Sequence, residues 1–83
     1  MQRKKFFYIY VLRSLKDKKL YIGKTKDLKR RVKEHNAGKV KATKNRRPFE
    51  LVYYEAYTNK DQWSQQEHFY KTGIGRETLK HKL

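Results

Sequence analysis

The amino-acid sequence predicts a single small α+β domain with the element order ββαβαα. Three short stretches are rich in aromatic and β-branched residues, which is typical of strands. Other segments, between and after them, have apolar residues at helical spacing. A chain of 83 residues has room for one modest core, so we expect residues 1–83 to form one domain.

The first two elements are predicted to form a β-hairpin. Residues 6–13 and 19–22 are the strands, and the polar residues 16–18 are the turn. Tyr10 and Tyr21 come from different strands and could face one another. Position alone favours a packing role for both, although a phenol beside Mg²⁺ or an Arg loses its proton more easily.

The first helix is predicted to follow, with Thr25 or Asp27 as its N-cap and Gly38 as its stop. Its inner face consists of residues at i, i+3, i+4 and i+7, namely Leu28, Arg31, Val32 and His35. Arg31 either extends to solvent or binds a phosphate and stabilises a phosphorane transition state. His35 is either a structural histidine, which position alone favours, or a catalytic group.

A basic loop, residues 39–47, leads into the third strand. Residues 49–57 alternate large apolar side chains with other residues, several of which are also apolar. We therefore expect this strand to be buried on both faces.

Two helices are predicted at the C-terminal end of the sequence. Asn59 and Gln62 have the spacing of a capping box and open a helix that ends near residues 72–73, and residues 76–82 form a short third helix. One stripe of the second helix consists of Trp63, Glu67, Tyr70 and Ile74.

A carboxylate on such an apolar stripe needs a cation. For Glu67 the alternatives are a salt bridge, for example to Arg31, or a single Mg²⁺ site. Glu55 presents the same choice with a weaker signal. The other acidic residues lie in turns, at helix starts or on charged faces, so the carboxylate cluster of a two-metal nuclease is not expected.

The charge of the chain predicts a polyanionic partner. There are 23 Lys and Arg against 8 Asp and Glu, a formal charge of +15, and eleven of the basic residues lie within residues 24–47. Nucleic acid is the favoured partner, and an anionic membrane surface is the alternative. The expected phosphate-binding residues are Lys24, Arg30, Lys39, Lys41, Lys44, Arg46 and Arg47.

The absence of Cys excludes disulfides, thiolate zinc sites and a cysteine nucleophile, and fits a reducing compartment such as the cytoplasm. The longest apolar run is residues 6–12, far short of the roughly 20 residues that cross a bilayer. We therefore expect no membrane-spanning helix.

Several short motifs follow one another in a specific order along residues 6–83. They are Tyr8-Ile9-Tyr10, Tyr21-Ile22-Gly23-Lys24-Thr25, Arg30-Arg31, His35-Asn36, Gly38, Thr43, Arg46-Arg47-Pro48-Phe49, Glu67 and Lys71. This order resembles the GIY-YIG nuclease family, in particular its small stand-alone bacterial members, which are often labelled as excision-repair nuclease-like.

The resemblance implies a single-metal phosphodiesterase on a three-stranded antiparallel sheet flanked by helices. Tyr10 and Tyr21 match the two motif tyrosines, of which one is the general base or orients the attacking water. Arg31 matches the Arg that stabilises the phosphorane, and His35 the position that assists proton transfer or places the water. Glu67 matches the sole protein ligand of Mg²⁺ or Mn²⁺, and Lys24 and Gly23 line the approach of the phosphate.

The expected function is therefore hydrolysis of nucleic acid, with DNA as the first substrate to consider and selectivity for structure rather than base sequence. The alternatives are a binding module without catalysis and a subunit that acts with a repair-complex partner; the oligomeric state is left open. Three positions depart from the family pattern. Tyr8 replaces the Gly of the first motif, Gln66 replaces an Arg, and Trp63 replaces an Ala one turn before Glu67, where its bulk is expected to narrow the site.

Overall fold

The computed structural model describes residues 5–83, and its centre is one antiparallel sheet. The strands are β1 (Phe7–Ser14), β2 (Leu20–Thr25) and β3 (Phe49–Tyr57), in the spatial order β2-β1-β3. β1 therefore pairs with both other strands. The predicted α+β class, the hairpin and the three-stranded sheet are confirmed.

The prediction that the third strand is buried on both faces is wrong. In β3 only Phe49 is buried, while Leu51 and Tyr54 are 38% and 53% exposed. The strand that is buried on both faces is β1, where residues 9–12 are at most 1% exposed. β1 is the central strand and β3 lies at an edge, and strand composition alone does not distinguish these positions.

Helices cover both faces of the sheet. They are α1 (Leu28–Asn36), α2 (Lys60–Tyr70) and α3 (Gly73–Lys80), and a short 3-10 turn spans Lys44–Arg46. On one face, Tyr10 and Leu12 of β1 form a core with Phe49 and with the inner residues of α1. On the other face, Ile9 and Val11 form a core with residues of α2 and α3. Alternate residues of β1 thus belong to two different layers.

Side-chain caps explain where the helices begin, and a glycine explains where the first of them ends. Asp27 is the N-cap of α1 and accepts a hydrogen bond from the backbone N–H of Arg30 at 3.1 Å, whereas Thr25 caps nothing in the helix. Gly38 follows the C-cap with φ of +78°, a conformation that favours glycine, so the predicted stop is confirmed. Asn59 caps α2 as predicted, through the N–H of Gln62 at 3.0 Å.

The third helix begins earlier than the sequence predicts. α2 ends at Tyr70, and Thr72 caps α3 by accepting from the N–H of Gly75 at 3.0 Å. Ile74 consequently belongs to α3 and is 77% exposed, so it is not part of the buried stripe of α2. Within residues 5–83, no helix is long and apolar enough to cross a membrane.

Asn36, at the end of α1, ties this helix to β3. Its side chain donates to the carbonyl of Phe49 at 3.0 Å and accepts from the N–H of Phe49 at 2.7 Å. Ser14, at the end of β1, donates to the carbonyl of Arg46 at 2.6 Å. These bonds hold the intervening basic loop against the layer that contains α1.

Candidate active site

Tyr10 and His35 meet in the layer between the sheet and α1. The hydroxyl of Tyr10 lies 2.8 Å from Nε2 of His35, and the two residues are 1% and 0% exposed. Tyr10 is paired with Gly23 across β1 and β2. A Cβ atom at position 23 would overlap the ring and hydroxyl of Tyr10, so the glycine leaves the space that this phenol occupies.

Arg31 connects this buried pair to the surface. Its Nε donates to the Tyr10 hydroxyl at 3.4 Å, and its Nη1 donates to Glu34 at 3.2 Å. Its side chain is 37% exposed, so the guanidinium is accessible to a ligand while it stays in contact with Tyr10. This position suits the predicted role of phosphate binding.

Tyr21 completes the group from the neighbouring strand. Its ring centroid lies 5.1 Å from that of His35 and 6.4 Å from that of Tyr10. Its hydroxyl makes no hydrogen bond to any side chain or backbone group among residues 5–83. The fold therefore brings together four of the five predicted site residues, Tyr10, Tyr21, Arg31 and His35.

The protonation states of the buried pair follow from their surroundings. Burial and the charge of Arg31 lower the pKa of His35 to about 4, although Glu34 opposes this shift. Burial raises the pKa of Tyr10, and the hydrogen bond from Arg31 only partly offsets that effect. At neutral pH the imidazole is thus neutral and the phenol keeps its proton.

Glu67 lies in α2, in the other layer of the domain, and makes no hydrogen bond or ion pair with the four residues above. Its Oε2 is 2.7 Å from Nζ of Lys71, and its side chain is 13% exposed. The salt bridge to Arg31 that the sequence left open is not formed, because Arg31 pairs with Glu34. Lys24 of β2 reaches toward α2, with its Nζ 3.5 Å from the Ser64 hydroxyl and 5.0 Å from the centre of the Trp63 ring.

Trp63 belongs to the core. Its indole is 7% exposed, donates to the carbonyl of Tyr8 at 2.8 Å and packs at 4.9 Å from the ring of Phe7. The bulk of this side chain is therefore accommodated between α2 and the sheet, one turn before Glu67.

The donor set suits a magnesium ion held by one carboxylate. Within residues 5–83 no three His, Asp or Glu side chains come together as a metal cluster. Glu67 stands alone, and its Oε1 receives no hydrogen bond from the described residues. Mg²⁺ commonly binds through one or two carboxylates, with waters and substrate phosphates as its other ligands, so Glu67 fits such an ion. Glu55 does not, because three tyrosine hydroxyls and Lys82 already donate to it.

The predicted phosphate-binding residues differ in their exposure and in whether other protein groups already hold their side chains. Lys39, Lys41 and Lys44 are exposed. Arg46 is held by Asp17 at 2.8 Å, with 27% of its side chain exposed, which indicates a structural role. The remaining three make contacts within the protein: Lys24 reaches Ser64 of α2, Arg30 lies 3.4 Å from Glu34, and Arg47 donates to the carbonyl of Lys44 at 2.9 Å.

An open recess lies beside Arg31, at the start of α1. Its lining is mostly basic and consists of Lys24, Thr25, Lys26, Asp27, Arg30, Arg31 and Glu34. A phosphate that reached Arg31 from solvent would therefore pass several cationic side chains.

Sequence reasoning gave no role to Thr43, although its hydroxyl lies 2.7 Å from Nδ1 of His35. It also gave none to Glu34 beyond a charged helix face, although this residue pairs with both Arg30 and Arg31. Thr43 lies in a loop, where no periodicity marks a buried residue. Its presence in the ordered motifs is the one signal that could have identified it.

Comparison with known proteins identifies the class to which this fold and site belong. The sequence model of the GIY-YIG catalytic domain matches residues 6–80, nearly the whole chain. The chain therefore belongs to the GIY-YIG family, as the order of its motifs predicts.

Similar proteins include bacterial proteins of the UPF0213 group. One from Bacillus pumilus is 47% identical over 66 residues, 78% of this chain and 66% of the relative, so the chain spans just under two thirds of that relative's length. One from Staphylococcus epidermidis is 43% identical over 74 residues, 88% of this chain and 89% of the relative. The solution NMR structure of a UPF0213 protein from Bacillus halodurans is 36% identical and superposes with a TM-score of 0.56, covering 89% of this chain and 81% of that chain.

Proposed function

We propose that this protein is a divalent-metal-dependent endonuclease that hydrolyses phosphodiester bonds of nucleic acid, with DNA as the expected substrate. The observation that carries the proposal is the contact of half-exposed Arg31 with the buried pair of Tyr10 and His35. A cation that is accessible on one side and bonded to a phenol on the other can bind a phosphate beside a group that orients water. Membership of the GIY-YIG family supports this reading.

In this mechanism Arg31 binds two oxygens of the scissile phosphate through its planar guanidinium. The negative charge on the phosphorus oxygens increases in the transition state, so the guanidinium binds the transition state more strongly than the substrate. Tyr10, supported by His35, accepts a hydrogen bond from the attacking water and aims its oxygen at phosphorus. The ring of Tyr21 lies close to that of His35 and would limit the positions that this water can occupy.

Glu67 is the residue that would hold the metal, with Mg²⁺ or Mn²⁺ as candidates. When bound, the ion would neutralise phosphate charge and favour ionisation of a coordinated water. Lys71 is already paired with this carboxylate, so metal binding requires that Lys71 share it or move away.

The basic residues around the recess and along the following loop would bind the nucleic-acid backbone. Phosphate contacts carry no information about base sequence. We therefore expect selectivity for the structure of the substrate, such as single strands, flaps or branches, rather than for a base sequence.

The first experiment is cleavage of labelled single-stranded, duplex, flap and branched DNA with Mg²⁺, beside samples with EDTA. Glu67→Gln keeps the shape of the side chain and removes its charge, and it should lower cleavage by about 100-fold or more. Glu77→Gln is the matched control, because Glu77 is an exposed helix acid that also pairs with a lysine, Lys80 at 3.5 Å. Equal cleavage by both variants would exclude Glu67 as the metal ligand.

One observation favours a second candidate function. The 2.7 Å pair with Lys71 already gives Glu67 a cationic partner without metal, as expected for a module that binds nucleic acid without cutting it, or that is activated by a repair-complex partner. Metal-dependent products from the purified protein would exclude this candidate. Binding without cleavage of any substrate would favour it.

A further inference from the structure

Thr43 contacts the proposed active site but is not one of the residues proposed to bind the phosphate, the attacking water or the metal. It is 0% exposed, and its Oγ1 lies 2.7 Å from Nδ1 of His35 and 3.5 Å from the carbonyl of Val40. His35 is also 0% exposed and has its other nitrogen against Tyr10. A neutral imidazole carries one ring proton, and its neighbours decide which nitrogen holds that proton.

The direction of these hydrogen bonds follows from the contacts of Tyr10. Its hydroxyl has two protein neighbours, Nε2 of His35 at 2.8 Å and Nε of Arg31 at 3.4 Å. Arg31 can only donate, so the single protein acceptor for the Tyr10 proton is an unprotonated Nε2. The imidazole then has its proton on Nδ1 and donates it to Thr43.

Thr43 can accept that bond and still use its own proton. Its hydroxyl faces the carbonyl of Val40, which is an acceptor. The hydrogen bonds then form one chain in which each group donates to the next: Arg31 to Tyr10, Tyr10 to His35, His35 to Thr43, and Thr43 to the carbonyl of Val40. In the opposite tautomer, Thr43 and Nε2 of His35 would both be donors, and the proton of buried Tyr10 would have no protein acceptor, an arrangement that costs stability.

We propose that Thr43 is a positioning residue that holds His35 in the Nδ1–H tautomer, so that Nε2 receives the proton of Tyr10. This inference rests on the proposed function, since it gives Thr43 a task in the same site. With its proton fixed toward His35 and one lone pair toward Arg31, Tyr10 has its remaining lone pair free to accept a hydrogen bond from the attacking water. Thr43 thus orients that water through two intermediate side chains.

The tautomer is measured directly by correlating the imidazole nitrogens and protons of the ¹⁵N-labelled protein by NMR. The exposed residues His68 and His81 serve as internal references. We expect His35 to carry its proton on Nδ1 in the wild type and in Thr43→Ser, which keeps the hydroxyl. In Thr43→Val, which has nearly the same shape without the hydroxyl, the Nε2–H form should become populated.

Cleavage is measured on the same three proteins, with backbone amide spectra as the test of folding. Loss of an orienting partner typically lowers activity by about 10- to 100-fold, and we expect kcat of Thr43→Val to fall by that factor. Its KM should stay within a few-fold of the wild-type value. Thr43→Ser should recover the wild-type kcat. If Thr43→Val does not fold, Thr43→Ala replaces it.

Two results would overturn the inference: an Nε2–H tautomer in the wild type, or a folded hydroxyl-free variant that cleaves like the wild type. If the wild type cleaves no substrate but shows the Thr43-dependent Nδ1–H form, the assignment of the tautomer stands and the proposed function fails. The spectra therefore separate the two failures.

Discussion

Arg31 has two contacts that differ in what they contribute. The ion pair with Glu34 lies at the surface, where such pairs contribute about 0–1 kcal/mol to folding. The contact with Tyr10 is at the edge of the buried site. We therefore expect replacement of this side chain to affect the reaction far more than the fold.

Arg31→Ala should lower cleavage by about 100- to 1000-fold, the usual effect of removing one donor to transition-state charge. Binding of nucleic acid should change by no more than a few-fold, because many other cations remain. Cleavage, binding and the melting temperature are measured on each protein.

Arg30→Ala is the matched control for this prediction. Arg30 pairs with the same Glu34, at 3.4 Å, but makes no contact with Tyr10. If the two variants were equally active, Arg31 would not be the group that stabilises the transition state.

At the scale of the elements, Glu55 joins three parts of the chain. It lies in β3 and accepts hydrogen bonds from Tyr53 and Tyr57 of the same strand, from Tyr70 of α2 at 2.6 Å and from Lys82 after α3 at 3.2 Å. The sequence left open whether this acid binds a metal ion or forms a salt bridge with a basic side chain. In the structure Glu55 has a structural role, because its hydrogen bonds fix α2 and the residues after α3 to the sheet.

The pH dependence of stability should report this cluster. Burial by itself would raise the pKa of Glu55, but the hydrogen bonds from the tyrosines and Lys82 outweigh it and hold the pKa at about 2. A carboxyl whose pKa is lowered on folding stabilises the protein above its unfolded pKa and loses that contribution as the pH falls through the folded value. We expect this contribution to disappear between pH 5 and about pH 2.

The measurement is the melting temperature of the wild type and of Glu55→Gln between pH 7 and pH 2. The variant should melt lower at pH 7, and the difference should shrink as the pH falls. Asp17, whose pKa is also lowered, through its hydrogen bond with Arg46, contributes in the same range in both proteins, so only the difference is diagnostic. A difference that stays constant with pH would contradict the assigned role of Glu55.

At the scale of the whole molecule, the surface charge controls association. Binding that neutralises phosphates releases counterions, so affinity should fall steeply with salt. The exposed loop residues Lys39, Lys41 and Lys44 should each contribute about one unit to the slope of log affinity against log salt if each contacts one phosphate.

This prediction is tested with single Lys→Ala variants in binding titrations at several salt concentrations. Lys60, an exposed residue at the start of α2, provides the control outside this loop. A salt slope that is unchanged in all three loop variants would remove the loop from the binding surface.

The sequence by itself determined the order of the elements and one face of the site. Helical spacing is a local property, so it was sufficient to place Arg31 and His35 together on the inner face of α1. Local capping chemistry likewise located the start of α2 at Asn59. The order of the motifs then indicated that Tyr10 and Tyr21, on the two strands of the hairpin, belong to the same site as Arg31 and His35.

The tertiary structure decided what depends on distant parts of the chain. That β1 rather than β3 is the central strand follows from which strands pair, and similar aromatic sequences allow either arrangement. The partners of Glu55 and the approach of Thr43 to His35 join residues far apart in sequence. Periodicity describes only near neighbours, whereas burial and hydrogen-bond partners are fixed when the layers pack together.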